Sequence, residues 1–368
     1  HANRYEGDEK TPVELFSNIA ESNYLGALLP QDVGCGAMDM VTYGLLNEEI
    51  GRGCSSIRSL LTVHNMVSQA LLRWGNQFQK DYWLPKLASG EIIAAFALSE
   101  PNVGSDAKTI ETTATVSGDS YVLNGRKRWI TYGQIADIFL VFAKQEDKPT
   151  AFLVERDSSG LSIDPIFGMA GVKASMLAEL QLVNCRIPRE NLLCRSGFGI
   201  SHVASSTLDY GRYSVAWGCV GIAQASLEAC LRYTSQRRQF GAYLKEHPLI
   251  RQMITEMIVN VKAARLLCYQ AGYLKGIGDP KSIMETSIAK YFASTIAAKV
   301  ANDAVQIHGA NGCSSDYPVQ RYWRDAKIME IIEGSNQIQQ LTIADYGYQQ
   351  QMHLDTSSIT SQKLVART

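Results

Sequence analysis

Apolar residues recur every three to four positions over long stretches in the second half of the chain. Met253, Met257, Val261, Ala264 and Cys268 form one such series, and Ile288, Phe292, Ile296, Val300, Ala304 and Ile307 form another. That spacing lays an apolar stripe along one face of a helix. Residues 203–236, 248–275 and 281–308 are therefore predicted to be long antiparallel helices of a bundle, followed by a shorter helix over 333–350. The first hundred residues also read as helices joined by short turns. The run from Met40 to Arg52 meets Gly51 and Gly53, which suit a helix stop, and Ser56 to Trp74 is apolar with scattered polar positions. Pro85 reads as the opening of another element.

The period changes in the middle of the chain. From about Thr109 to Cys185, β-branched and aromatic residues come in short runs separated by Gly, Asp, Asn and Ser. Tyr121-Val122-Leu123, then Asn124-Gly125, then Arg126 to Ile130 reads as a hairpin, because Asn and Gly tolerate the positive φ of a two-residue turn. Asp137 to Ala143 and Ala151 to Glu155 read as further strands. The predicted order is a helical segment over 1–94, a β domain over 95–200, a helical bundle over 201–350 and a polar tail over 351–368. No internal repeat is visible.

Composition narrows the class. Hydrophobic residues make up 46% of 368 residues, enough to argue against disorder, and the length argues against a single domain. Lys and Arg number 35 against 36 Asp and Glu, so no net field favours nucleic acid. No stretch of about 20 apolar residues reads as a membrane span, and no signal peptide is visible. Cytoplasm is the expected location, and a start at His1 rather than Met suggests a missing N-terminal piece. The eight Cys include no CxxC pair and suit neither a zinc site nor a disulfide scaffold, so no metal is expected.

The usual nucleotide signatures are absent. No GxGxxG follows a strand, and there is no Walker lysine motif, so a dinucleotide would have to bind in another way. Five segments could carry chemistry. Phe96 to Asp106 reads FALSEPNVGSD, where Ser99, Gly104 and Ser105 could cradle a phosphate or a ring edge; an ordinary loop is the plainer alternative. Trp129-Ile130-Thr131 sets a flat ring beside a hydroxyl, which could flank a planar cofactor or simply fill a core. Arg237 to Gly241 could meet an anion or complement a helix end. Gln306 to Gly312 could admit a phosphate or merely stop a helix. Ile331 to Gln337 places Glu333 between apolar residues and Gly334, where burial would raise the carboxylate's basicity toward neutrality, as a general base requires.

Together these segments resemble the acyl-CoA dehydrogenase family, in the family's order and from Leu29-Pro30 to about Ala344. The resemblance implies an α+β multidomain fold: an N-terminal helical domain, a middle β-barrel-like domain and a C-terminal four-helix bundle. It implies an FAD cofactor. Phe96, Leu98 and Ser99 match flavin contacts, Gly104 and Ser105 fall in the pyrophosphate-binding segment, and Trp129 and Thr131 match residues beside the isoalloxazine ring. Arg237, Phe240, Gln306, Gly309 and Gly312 match residues that a neighbouring subunit contributes, and Ser335 and Gln337 match positions near the adenine half. A homodimer or homotetramer is expected on that ground. Glu333 matches the catalytic base of most members. In a second subgroup the base precedes an arginine on another helix; here Gly211 stands before Arg212, so Arg212 reads as a substrate or site-organising residue. Tyr132 and Ala310 depart from the usual Asn and Gly.

Three further segments, 54–66, 210–222 and 324–335, resemble a narrower group that acts on thioesters of acyl carrier protein. Its members oxidise glyceryl or seryl units to three-carbon aldehydes for hydroxymalonyl, methoxymalonyl or aminomalonyl polyketide extender units. The expected chemistry is removal of the α-proton by Glu333 and transfer of the β-hydride to flavin N5, a β-hydroxyl turning the enol product into an aldehyde. The alternative is a conventional short-chain acyl-CoA dehydrogenase that forms a 2-enoyl-CoA. Electron-transfer flavoprotein is typical of the broader family as oxidant, with direct reoxidation by oxygen as the alternative. A flavin-binding protein without catalysis is a third reading, and the presence of Glu333 argues against it.

Overall fold

A computed structural model describes residues 1–33 and 36–365. The chain opens with five helices: α1 (Ala2–Asp8), α2 (Val13–Glu21), α3 (Met40–Gly53), α4 (Ser55–Trp74) and α5 (Gln77–Ser89). Asp39 caps α3 by accepting from the Val41 and Thr42 amides at 2.9 and 3.0 Å. α5 begins with a reciprocal Asn76–Gln79 capping box and ends at Gly90 in the left-handed region. Pro85 does not open an element; it lies inside α5. The helix continues around it because Trp83, Leu84, Leu87 and Ala88 bury its inner face.

Eight strands follow: β1 (Ala94–Ala97), β2 (Thr113–Ser117), β3 (Ser120–Ile130), β4 (Ile138–Gln145), β5 (Lys148–Glu155), β6 (Leu161–Pro165), β7 (Ala178–Pro188) and β8 (Leu192–Leu193). They form one mixed sheet in the order β6-β7-β3-β2-β4-β5-β8, with β1 parallel to β4. The hairpin turn is at Gly118-Asp119, where Ser117 pairs with Ser120. The expected turn at Asn124-Gly125 is instead a bulge within β3, where the register against β7 shifts. The Asn124 carboxamide accepts from the Asn184 amide at 2.8 Å. Gly125 lies so close to the neighbouring backbone that a Cβ would sit 2.7 Å from Thr112 Cα. Close approach, rather than turning, is why a glycine stands there.

A π turn at Gly199–Ala204 leads into α6 (Ser205–Gln236). A two-stranded hairpin follows, β9 (Arg238–Gln239) with β10 (Ala242–Tyr243), then α7 (Pro248–Gly276), α8 (Ser282–His308), α9 (Val319–Met329) and α10 (Asn336–Val365). The bundle helices match the sequence periodicity to within a few residues. α10 runs well past 350, since no proline interrupts the polar stretch expected there as a tail. Length and composition would let residues 199–236 cross a bilayer, contrary to the sequence reading, but 83% of the apolar window is buried inside the protein. The architecture is thus an N-terminal helical domain, a mixed β-sheet domain and a C-terminal helical bundle, with α6 at the centre.

Candidate active site

The connection between α9 and α10 carries Glu333. Glu333 (φ 56°) and Gly334 (φ 87°) are both left-handed, so the chain turns sharply before α10 starts at Asn336. A side-chain-bearing residue in this region costs about 1–2 kcal/mol, and surrounding bonds must hold it there. Arg212 Nε, from α6, donates to the Glu333 carbonyl at 3.2 Å. Lys290 Nζ, from α8, donates to the Gly334 carbonyl at 2.9 Å. Gln339 Nε2 reaches both carbonyls at 3.4 and 3.3 Å. The expected helix start at 333 therefore gives way to a clamped turn.

The Glu333 residue is half-buried, but its carboxyl is enclosed, and Oε2 has no hydrogen-bond partner. That oxygen packs against Gly211 so closely that any Cβ at 211 would collide with it and with Met66 Sδ. Gly211 is thus not a base but the space in which one sits. Burial pushes the Glu333 carboxyl up to about 7, while Arg212, Arg58 and Lys290 pull the other way. An enclosed carboxylate with a free lone pair and basicity near neutrality can accept a proton from a weak carbon acid.

Below Glu333 a polar seam runs between α4 and α6. Arg58 is fully buried and donates to Thr62 Oγ1 at 2.7 Å and Ser59 Oγ at 3.2 Å. Thr62 shares a 2.6 Å hydrogen bond with Ser214 Oγ, which donates to Asn47 Oδ1 at 2.6 Å. Arg58 Nε is left without a partner, and among the described residues no carboxylate lies within ion-pair distance of the guanidinium. Thr62 and Met66 follow Arg58 at one-turn intervals on α4, so the seam leads from the buried cation up to the Glu333 carboxyl. The motif-led sequence reading missed Arg58, Thr62, Ser214 and Lys290. A cation inside an otherwise apolar helical run was the available signal at both Arg58 and Lys290.

The sheet supplies a second surface. The Arg128 amide donates to the Ser99 carbonyl at 2.9 Å, bringing the FALSEPNVGSD segment beside the end of β3. Trp129 lies in a second β3 bulge with φ 64°, and its ring is 46% exposed with the Arg128 guanidinium 4.6 Å from its centroid. Leu98 is buried, while Phe96, Ser99 and Thr131 are half-buried. Gly104 and Ser105 are exposed, in a loop anchored at its base by Glu100. The Glu100 carboxylate accepts from the Thr112 amide at 3.0 Å and from buried Lys127 Nζ at 2.6 Å. A large ring held at the surface in a strained backbone, beside a half-buried hydroxyl residue and a fixed loop, fits a planar cofactor lying across this face.

The remaining expected residues lie elsewhere. Phe240 is 98% exposed on the β9–β10 hairpin, and Arg237 and Gln306 are exposed. Gly309 adopts φ 60°, ψ −140°, which suits only glycine, and a Cβ at Gly312 would sit 2.5 Å from the Val305 carbonyl oxygen. Asn311 and the His308 carbonyl are tied to Tyr233 OH at 2.9 and 3.3 Å. Ser335 caps the start of α10 and Gln337 is exposed. Among the described residues no hydrogen bond links Arg237, Phe240, Gln306, Gly309 or Gly312 to Glu333 or Trp129.

Tyr132 and His64 both tie elements together. Tyr132 OH is buried between Thr11 Oγ1 and the Ser56 carbonyl, joining the N-terminal and sheet domains. His64 has both ring nitrogens engaged, by the Leu87 carbonyl and the Ala94 amide, and burial pushes it down to about 4. Both residues join elements rather than carry chemistry.

Comparison with known proteins accounts for the architecture. Residues 1–91, 95–185 and 197–347 match the N-terminal, middle and C-terminal domains of acyl-CoA dehydrogenases. The mitochondrial short-chain specific acyl-CoA dehydrogenase of Rattus norvegicus is 38% identical over 341 residues, covering 91% of this chain and 82% of that one. Butyryl-CoA dehydrogenase of Megasphaera elsdenii superposes with a TM-score of 0.90 at 33% identity, covering 94% and 92%. FkbI, described for biosynthesis of the methoxymalonyl extender unit of the Fk520 polyketide, superposes with a TM-score of 0.88 at 30% identity, covering 94% and 96%. The chain belongs to the acyl-CoA dehydrogenase family. It is an FAD-dependent oxidoreductase that acts on an acyl thioester.

Proposed function

We propose that the protein dehydrogenates a short acyl-CoA to the 2-enoyl-CoA, with Glu333 as the base. The enclosed, unpartnered Glu333 carboxyl beside Gly211 carries this reading, and the short-chain specific relatives at 38% identity supply the substrate class. The thioester carbonyl acidifies the α-carbon, and Glu333 takes that proton. Arg212 and Lys290 hold the turn that aims the carboxyl. Phe96, Leu98, Ser99, Gly104, Ser105, Trp129 and Thr131 would hold FAD from this chain, and Arg237, Phe240, Gln306, Gly309 and Gly312 from a second copy. Ser335 and Gln337 would lie toward the adenine half. Bound FAD supplies the two-electron acceptor, and electron-transfer flavoprotein is the proposed partner that reoxidises it.

A second reading has its own support. In the buried Arg58–Thr62–Ser214–Asn47 seam the hydroxyls and amide bond to one another, but Arg58 Nε is left without a partner, and a polar acyl group would satisfy it where a plain alkyl chain would not. The seam thus favours a glyceryl or seryl group, carried on acyl carrier protein and oxidised to the semialdehyde. The likeness to FkbI points the same way. Anaerobic flavin bleaching with butyryl, glyceryl and seryl thioesters, each on CoA and on carrier protein, separates the two. Fastest bleaching by butyryl-CoA supports the first reading and overturns the second; fastest bleaching by a glyceryl or seryl carrier thioester does the reverse.

A further inference from the structure

α8 carries a buried cation whose bonds go to the turn on which the base sits. Lys290 is fully buried in the middle of α8. Its ammonium donates to the Gly334 carbonyl at 2.9 Å and to Asn336 Oδ1 at 3.1 Å. The same Asn336 oxygen accepts from Ser294 Oγ at 2.8 Å, and Asn336 Nδ2 donates to Thr295 Oγ1 at 3.2 Å. Lys290 and, one turn on, the adjacent Ser294 and Thr295 of α8 thus hold Gly334 in the left-handed turn and Asn336 at the start of α10. Among the described residues no carboxylate stands within ion-pair distance of Lys290. A neutral donor would satisfy the same carbonyl without the cost of burying a charge. The charge has a purpose if an anion forms next to it.

We infer that Lys290 is a positioning residue for the base: it clamps the Glu333–Gly334 turn from the opposite helix and adds a buried positive charge to the surroundings of that turn. The inference rests on reading Glu333 as the base. The surroundings agree with it. Glu333 is faced by Arg212 from α6, Arg58 from α4 and Lys290 from α8. Lys290 is faced by Cys219 and Arg212 from α6 and by Glu333 and Glu330 beyond α9. Burial lowers Lys290 to about 8, so it still carries charge at neutral pH. Removing that charge removes one of three cations that favour ionised Glu333.

The test compares Lys290→Met and Lys290→Gln with the wild-type holoenzyme. Lys290→Met is expected to lower kcat roughly a hundredfold, the scale at which misplacement of a reacting group acts, with KM and flavin content within about twofold. The acid limb of kcat/KM moves to higher pH. Lys290→Gln keeps a donor to the carbonyl, so it regains part of kcat while the limb stays displaced. Infrared titration of the Glu333 carboxyl, assigned against Glu333→Gln, follows the same displacement without turnover. Wild-type kcat and an unmoved carboxyl titration in both variants overturn the inference. If both variants fail to fold, Ser294→Ala decides, by weakening only the Asn336 grip: a kcat about threefold lower with flavin intact supports the clamp, and an unchanged kcat overturns it. A wild-type enzyme that no thioester reduces, but whose carboxyl titration moves with Lys290, would instead remove the function proposed for Glu333.

Discussion

At the residue scale, Glu333 combines three costs: a left-handed backbone, an enclosed carboxyl and an oxygen without a partner. Its carboxyl is raised from an ordinary value near 4.5 to about 7. The folded state therefore holds this proton more tightly than the unfolded chain. Stability falls as pH rises from about 4.5 to 7, by about 3 kcal/mol in all, and stays lower above that. Glu333→Gln removes the ionisation. It is expected to cut turnover by more than about a thousandfold with FAD retained, to raise the melting temperature at pH 8, and to leave it unchanged near pH 4. Activity in the wild type has the opposite sense, rising with pH through about 7 as the base ionises. Melting curves and kcat/KM at both pH values check the two signs together.

The same scale shows what the sequence could reveal. An acid between isoleucines and a glycine suggested burial of Glu333, which the enclosed carboxyl shows, whereas its reading as a base came from the family resemblance. Arg58 and Lys290 were harder to read: a cation inside an apolar helical run is a signal of burial, but a solvated face gives the same pattern until its neighbours are placed. Arg58→Met tests what that charge does: the loss of the buried cation is expected to lower kcat/KM for glyceryl thioesters at least about tenfold relative to butyryl-CoA. Steady-state kinetics on both substrates checks it, and an unchanged ratio would remove the polar-seam reading.

At the element scale, the three long bundle helices were read well, while α9 went unread and one strand was split by a turn that is not there. The three-to-four-residue period located α6, α7 and α8 because each buries one continuous stripe, and nothing local competes with that signal. Asn124-Gly125 has the chemistry of a hairpin turn but serves as a bulge, because β7 and Thr112 press on β3 from residues far away in sequence. Tertiary contact overrides local preference at that point. Gly125→Ala would push a methyl group into the Thr112 backbone. It is expected to destabilise the protein by about 1–3 kcal/mol, read as a lower denaturation midpoint. Trp129 sits at the other bulge of the same strand, so flavin content should fall along with stability. Pro85 was misread for a similar reason: burial of one α5 face carries the helix through a residue that would ordinarily end it.

At the scale of the whole molecule, the exposed apolar residues are where the expected self-association would take place. Val259, Leu266 and Tyr273 follow one another at seven-residue intervals on α7, each more than half exposed, and Ile277 continues the line. Exposed large apolar residues aligned along one helix are candidates for an interface between copies. Phe240, Arg237 and Gln306 are likewise left open, and the resemblance assigns them to a neighbour's FAD site. Leu266→Asp is therefore expected to shift the protein to a smaller species in light scattering and to lower its flavin content together with its size. A smaller species that kept full flavin would separate the α7 face from cofactor retention.

The apolar cores do not follow the three domains. One apolar cluster joins Ala27 and Tyr43 near the start of the chain to Val172 of the middle region and to α6, α7, α8 and α9. Another joins Val67 and Trp83 of α4 and α5 to Ile138 and Leu153 of the sheet and to Val203 before α6. Sequence boundaries therefore mark changes of architecture without marking units of cooperativity. Pulling out any one segment would leave half of an interior facing water. The chain is therefore expected to melt in a single calorimetric transition, and a cavity opened beneath the sheet is expected to loosen the grip on Glu333 as a change beside it would.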